Sequence, residues 1–157
     1  MPNLIFIHGL ISSGQGFKGN FFRKILPSCL TPDFVGTEEE KINQLNKILA
    51  NKEPWIIVGS SYGGFMGTFY TCQYPDRVTL LILLAPVLTH LKLYPYRSID
   101  VPVILYHGKN DNIVPIEATR KRAEELFTNL IYHLVDDDHM LHATVKSIDW
   151  SQYFNIT

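Results

Sequence analysis

The amino-acid sequence predicts an α/β fold, a three-layer α/β/α sandwich on a mostly parallel sheet of about six strands. Short apolar runs without polar alternation recur at 4–7, 55–58, 79–85, 103–106 and 130–135, as strands covered on both faces require. Amphipathic segments of helical period lie between most of them, so consecutive strands have room for a crossover and pair in parallel. In such sheets a ligand site forms at the carboxyl ends of the strands.

Each element has its own signal. The run 4–7 ends in His8-Gly9-Leu10, a Gly- and Ser-containing loop covers 12–16, and a short helix is expected over 19–26. Residues 30–34 read as a weaker strand that Pro32 confines to an edge. Thr37 and Glu40 have the spacing of a capping box. Ile42, Leu45, Ile48 and Leu49 then form one apolar face of a helix that ends before Pro54. The run 55–58 leads through a Gly-rich turn into a helix reaching Gln73, and 79–85 is a strand stopped by Pro86. Residues 86–100 read mostly as loop, 116–127 as a helix with i,i+4 charge pairs, and 142–153 as one final helix.

At 157 residues the chain suits one domain, 1–157, and its 46% apolar content is ordinary for a globular protein. A net charge of −1 argues against a nucleic-acid or anionic-membrane binder. The longest apolar stretch, 78–88, covers about half a membrane span and contains Pro86. No charged segment precedes the first apolar run, so no signal peptide is expected. Cys29 and Cys72 are too few for a disulfide scaffold and lack metal-site spacing. These readings point to a soluble, cytoplasmic protein with buried thiols.

The chemistry gathers on the strand ends. Gly59-Ser60-Ser61-Tyr62-Gly63 has the G-x-S-x-G spacing for Ser61 alone, in the strand–turn–helix context of a nucleophile elbow. A serine hydroxyl is a weak nucleophile unless a base takes its proton and an acid fixes that base. Asp111 follows the strand 103–106, and His139 follows 130–135. His142 competes with His139, and Asp136 or Asp137 could substitute for the acid. Asp136, Asp138, His139 and His142 also allow a metal cluster, which nothing else in the chain completes. His8 and His107, each before a glycine at a strand end, read as supporting residues.

The order Ser, Asp, His, with His8-Gly9, Gly59 to Gly63, His107 to Pro115 and Asp138 to Leu141 on successive strand ends, resembles the α/β-hydrolase superfamily. The chain is similar to small single-domain bacterial esterases, without a large lid, and relative to that pattern it begins at the third strand. The resemblance implies Ser61 as nucleophile, Asp111 as acid and His139 as base. It also implies an oxyanion hole from the backbone N–H groups of Leu10 and Tyr62. The expected activity is cleavage of small acyl esters through an acyl-enzyme, with no cofactor and no metal. The alternatives are a thioesterase or acyl transferase using the same triad, or a catalytically idle binding module. Phe17, Tyr62 and Phe65 are expected to form a shallow apolar wall near the elbow, with Tyr94 and Tyr96 as possible additions.

Overall fold

Strand β1 (Asn3–Ile7) begins a sheet of five parallel strands: β2 (Trp55–Ser60), β3 (Val78–Leu84), β4 (Val103–Gly108) and β5 (Leu130–Val135) follow in spatial order. The computed structural model describes residues 3–50 and 54–155. Helices α1 (Phe17–Ile25), α2 (Glu38–Leu49), α3 (Tyr62–Gln73), α4 (Ile116–Leu126), α5 (His142–Ser147) and α6 (Ser151–Phe154) cover the two faces.

The faces are sorted by strand alternation. Ile5, Ile7, Ile57, Leu81 and Leu83 pack toward Leu45 and Leu49 of α2, Phe65 and Met66 of α3, and Ala123 and Leu126 of α4. Leu4, Phe6, Ile56, Val58 and Ile82 turn the other way, toward Phe22 of α1, Val145 of α5, and Trp150 and Phe154. Central strands buried on both sides cannot alternate with polar residues, which is why the runs are continuous.

The sixth strand expected at 30–34 is reduced to one bridge. Leu30 pairs with Ile5 on the side of β1 away from β2, through Phe6 N to Leu30 O at 2.8 Å and Leu30 N to Leu4 O at 2.9 Å. Pro32 has no N–H to extend the ladder. The next residues fold onto the loop after β1: the Phe34 amide donates to His8 Nε2, and Asp33 Oδ1 accepts from the Gly14 amide. With α1 leaving one side of β1 and α2 returning on the other, the winding reverses at β1, where such folds open a crevice.

The Thr37–Glu40 capping box starts α2 as expected. The single helix expected at 142–153 is instead two. Ile148 is extended at ψ 135°, the indole N–H of Trp150 donates to the Val145 carbonyl at the end of α5, and Asp149 Oδ1 accepts from the Ser151 amide and hydroxyl to start α6. In the segment 86–100 only a 3-10 turn at Leu91–Leu93 and a bridge from Ile99 to Phe127 are regular. Among the described residues no helix is long and apolar enough to cross a membrane.

Candidate active site

Ser61 sits on the turn between β2 and α3 with φ 55° and ψ −116°, a conformation that L-residues rarely adopt. Neighbouring elements hold it there. Its amide donates to Leu84 O of β3 at 3.0 Å, and its carbonyl accepts from the Gly64 and Val87 amides, both at 3.0 Å. The flanking glycines are steric requirements. A Cβ at Gly63 would lie 2.1 Å from the Ile7 carbonyl oxygen, and one at Gly59 2.5 Å from that of Gly63. Only hydrogen atoms fit where the elbow presses on the end of β1. Ser60, by contrast, is the last residue of β2 and is buried.

Asp111 follows β4 and is fully buried. Its Oδ1 accepts from the Ile113 and Val114 amides at 2.8 and 2.9 Å. Its Oδ2 meets His139 Nδ1 at 2.7 Å and His107 Nε2 at 3.0 Å. Burial alone would raise its pKa. The hydrogen bond from His139, those of the two amides and the nearby imidazole outweigh burial, so the net shift is downward and Asp111 stays ionised. An ionised acceptor requires both histidines to donate to it. His139 therefore carries its proton on Nδ1 and keeps Nε2 as a free acceptor.

His107, expected only as a supporting residue, is the second donor on Asp111. It is fully buried, and among the described residues its Nδ1 has no well-formed hydrogen bond. Burial lowers its pKa against the opposing charge and hydrogen bond of Asp111. A backbone contact with Val114 also opposes burial, yet the net shift is downward and favours the neutral ring.

The loop 136–141 presents His139. Asp137, expected as a solvated charge or a substitute acid, instead ties this loop together: Oδ2 accepts from the Thr144 amide (3.0 Å) and hydroxyl (2.7 Å), and Oδ1 from the Asp138 amide. Asp138 Oδ1 accepts from the Met140 and Leu141 amides. Leu141, buried at φ 55°, then turns the chain into α5. Gly108 lets the loop close over β4, because a Cβ there would meet the Asp137 and Asp138 carbonyl oxygens at 2.4 and 2.5 Å. His142 points elsewhere, stacked on Phe17 with ring centroids 4.1 Å apart. Among the described residues no cluster suits a metal ion.

Ser61 and His139 line one cavity of about 60 Å³, together with Phe6, Gly9, Ile11, Ser12, Lys18, Ser60 and Met140. No hydrogen bond joins Ser61 Oγ to His139 here; such contacts commonly tighten only when substrate binds. The loop after β1 passes against the serine, since a Cβ on Gly9 would lie 3.4 Å from Ser61 Cβ. Leu10 follows Gly9 in that loop, and Tyr62 follows Ser61 as the first residue of α3.

The apolar wall expected from Phe17, Tyr62 and Phe65 is not there. Phe65 is in the core under His90, Tyr62 donates its hydroxyl to Glu38 at 2.7 Å, and Phe17 faces His142. Tyr94 is exposed beside Arg122, and Tyr96 packs against Phe69. The wall consists of Phe6, Ile11 and Met140, with Lys18 among them. Lys18 escapes a sequence reading that starts the helix at Gly19. With α1 beginning at Phe17, it becomes a first-turn residue facing the strand ends.

Residues 39–93, from the first turn of α2 through the elbow to the 3-10 turn, match the family model described as the alpha/beta hydrolase fold. No curated protein matches the chain in sequence. Among solved structures it is similar to a CIB-like hydrolase from Thermoplasma acidophilum, at 20% identity and TM-score 0.79 over 99% of this chain and 87% of that one. It is also similar to Est1E from Butyrivibrio proteoclasticus, solved with ferulic acid bound, at 15% identity and TM-score 0.81, covering 99% and 88%. A third is mouse alpha/beta hydrolase domain-containing protein 10, at 20% identity and TM-score 0.77, covering 99% and 91%. The elbow, the parallel sheet and these likenesses make the chain an α/β-hydrolase-fold protein.

Proposed function

We propose that the protein is a serine hydrolase of small carboxylic esters that works through an acyl-enzyme. The observation that carries the reading is the 2.7 Å contact from His139 Nδ1 to Asp111 Oδ2, made by a histidine that shares a cavity with Ser61. In this reading His139 Nε2 takes the proton of Ser61 Oγ as the oxygen attacks the ester carbonyl. The Leu10 and Tyr62 amides stabilise the tetrahedral oxyanion, and the N-terminal end of α3 adds its positive dipole. His139 then gives its proton to the departing alcohol, and water repeats the sequence on the acyl-enzyme to release the acid. Asp111 holds the Nδ1–H tautomer throughout and stabilises the transient imidazolium. Two free, buried cysteines and no disulfide among the described residues go with the cytoplasmic setting we propose.

A fluorophosphonate probe tests the assignment. It should label the wild type at Ser61 and leave Ser61→Ala unlabelled, while Asp111→Asn should lower kcat/KM on the order of 10³- to 10⁴-fold. Labelling at Ser60, or full turnover by a folded Ser61→Ala variant, refutes it.

A further inference from the structure

The cavity beside Ser61 contains a charge to which ester hydrolysis assigns no task. Lys18 lines it with Ser61, His139, Ile11, Ser12 and Met140. Burial lowers its pKa to about 8, although the charges of Asp138 and Asp137 pull in the opposite direction. Those carboxylates do not cap it at close range. Asp137 is engaged by Thr144 and the Asp138 amide, and Asp138 Oδ1 by the Met140 and Leu141 amides. Among the described residues Lys18 forms no ion pair or hydrogen bond.

The backbone that carries it is held in place. Arg23 of the same helix donates to the Gly14 carbonyl and the Thr31 hydroxyl, and the Gly14 amide donates to Asp33 at 2.7 Å. The loop before α1 and the helix itself are thus tied together. An ammonium half-withdrawn from water next to a reacting centre costs stability unless it meets an anion there. A cavity meant for wholly apolar esters would do better with Met or Leu at this position.

Building on the serine-hydrolase reading, we propose that Lys18 sets the substrate class of the site. The ester cleaved at Ser61 carries an anionic group, in the simplest case a carboxylate, that pairs with the Lys18 ammonium while the ester carbonyl lies against Ser61. The charge can sit on the acyl or the alcohol side, and matched ester pairs separate the two. Monobenzyl glutarate against benzyl pentanoate places it on the acid, and 4-(acetoxymethyl)benzoate against benzyl acetate places it on the alcohol. Acid release is followed by chromatography at pH 7 in low salt.

The wild type should favour the charged member of one pair by about tenfold or more in kcat/KM, as a charge-assisted contact implies. Lys18→Met should bring that ratio close to one, and Lys18→Arg should retain most of it. Fluorophosphonate labelling of Ser61 in every variant keeps the two proposals apart. Labelling with no preference for either charged ester overturns the inference and leaves the hydrolase reading intact. Equal loss on charged and neutral esters in Lys18→Met also overturns it, because Lys18 would then only brace the loop 136–141. Absence of both labelling and turnover overturns the hydrolase reading and this inference with it.

Discussion

The strain at Ser61 offers a direct test of how the elbow is built. Replacing Ser61 by glycine removes the hydroxyl and also the Cβ that makes φ 55° costly. Replacing it by alanine removes the hydroxyl and keeps the Cβ. Both variants should be inactive, so their difference reports the backbone alone. A non-glycine residue in such a region costs about 1–3 kcal/mol. Glycine gives back about 0.4–1 kcal/mol by adding freedom to the unfolded chain. The bonds to Leu84, Gly64 and Val87 hold the turn in either variant. Ser61→Gly should therefore be more stable than Ser61→Ala by up to about 2.6 kcal/mol, centred on about 1.3 kcal/mol or about 3–5 °C in Tm for a chain of this length. Paired thermal melts in one buffer read it out. If the glycine variant melts at or below the alanine variant, the turn at Ser61 is not strained by its Cβ.

Gly63→Ala should lose labelling and several degrees of Tm together, because its Cβ would meet backbone oxygens of Ile7 and His8 at 2.1 and 2.6 Å and neither can rotate away; a variant with normal melting and labelling would contradict this. Burial depresses the pKa of His107, and also that of His142, where the Lys18 charge adds to it. The unfolded chain thus binds more protons below about pH 6.5, so stability is complete above that value and declines as pH falls beneath it. Melts from pH 7.5 to 5 should show this decline, and His107→Gln should flatten it; an unchanged slope would mean that His107 keeps an ordinary pKa. Esterase assays across acyl lengths should peak at short chains, since each methylene contributes about 0.8 kcal/mol only where a wall covers it and the cavity is about 60 Å³. A steady rise to long chains would require a roof that this fold does not supply.

What could be read from the sequence was local. Continuous apolar runs mark the strands, buried on both faces in β2 and β4 but leaving Ile131 and Leu134 of β5 exposed, and the residues just beyond them mark the edge that carries the candidate site. The placement of Ser61, Asp111 and His139 at neighbouring strand ends was legible on those grounds, as was the capping box of α2. Elements governed by competition were not. Residues 142–153 have a plausible helical period, yet Asp149 offers the backbone a better partner and starts a new helix at Ser151. Residues 30–34 have strand composition, but Pro32 and the pull of His8 on the Phe34 amide end the pairing after one bridge.

The remaining gap concerns contacts between loops that are distant in the chain. Nothing near His107 signals that it shares Asp111 Oδ2 with His139, because the two histidines leave different strands and meet only when β4 and β5 pair. Once they meet, the arrangement constrains itself. Two amides fix Oδ1 and two imidazoles converge on Oδ2, so rotating the carboxylate breaks four hydrogen bonds at once. Burial disfavours a second proton on His107, so its ring meets Asp111 as a neutral donor. Its effect is to hold the Asp111 carboxylate still. The orientation of His139 above the cavity then depends on a carboxylate that β4, its own following loop and the β5 loop all fix from different sides.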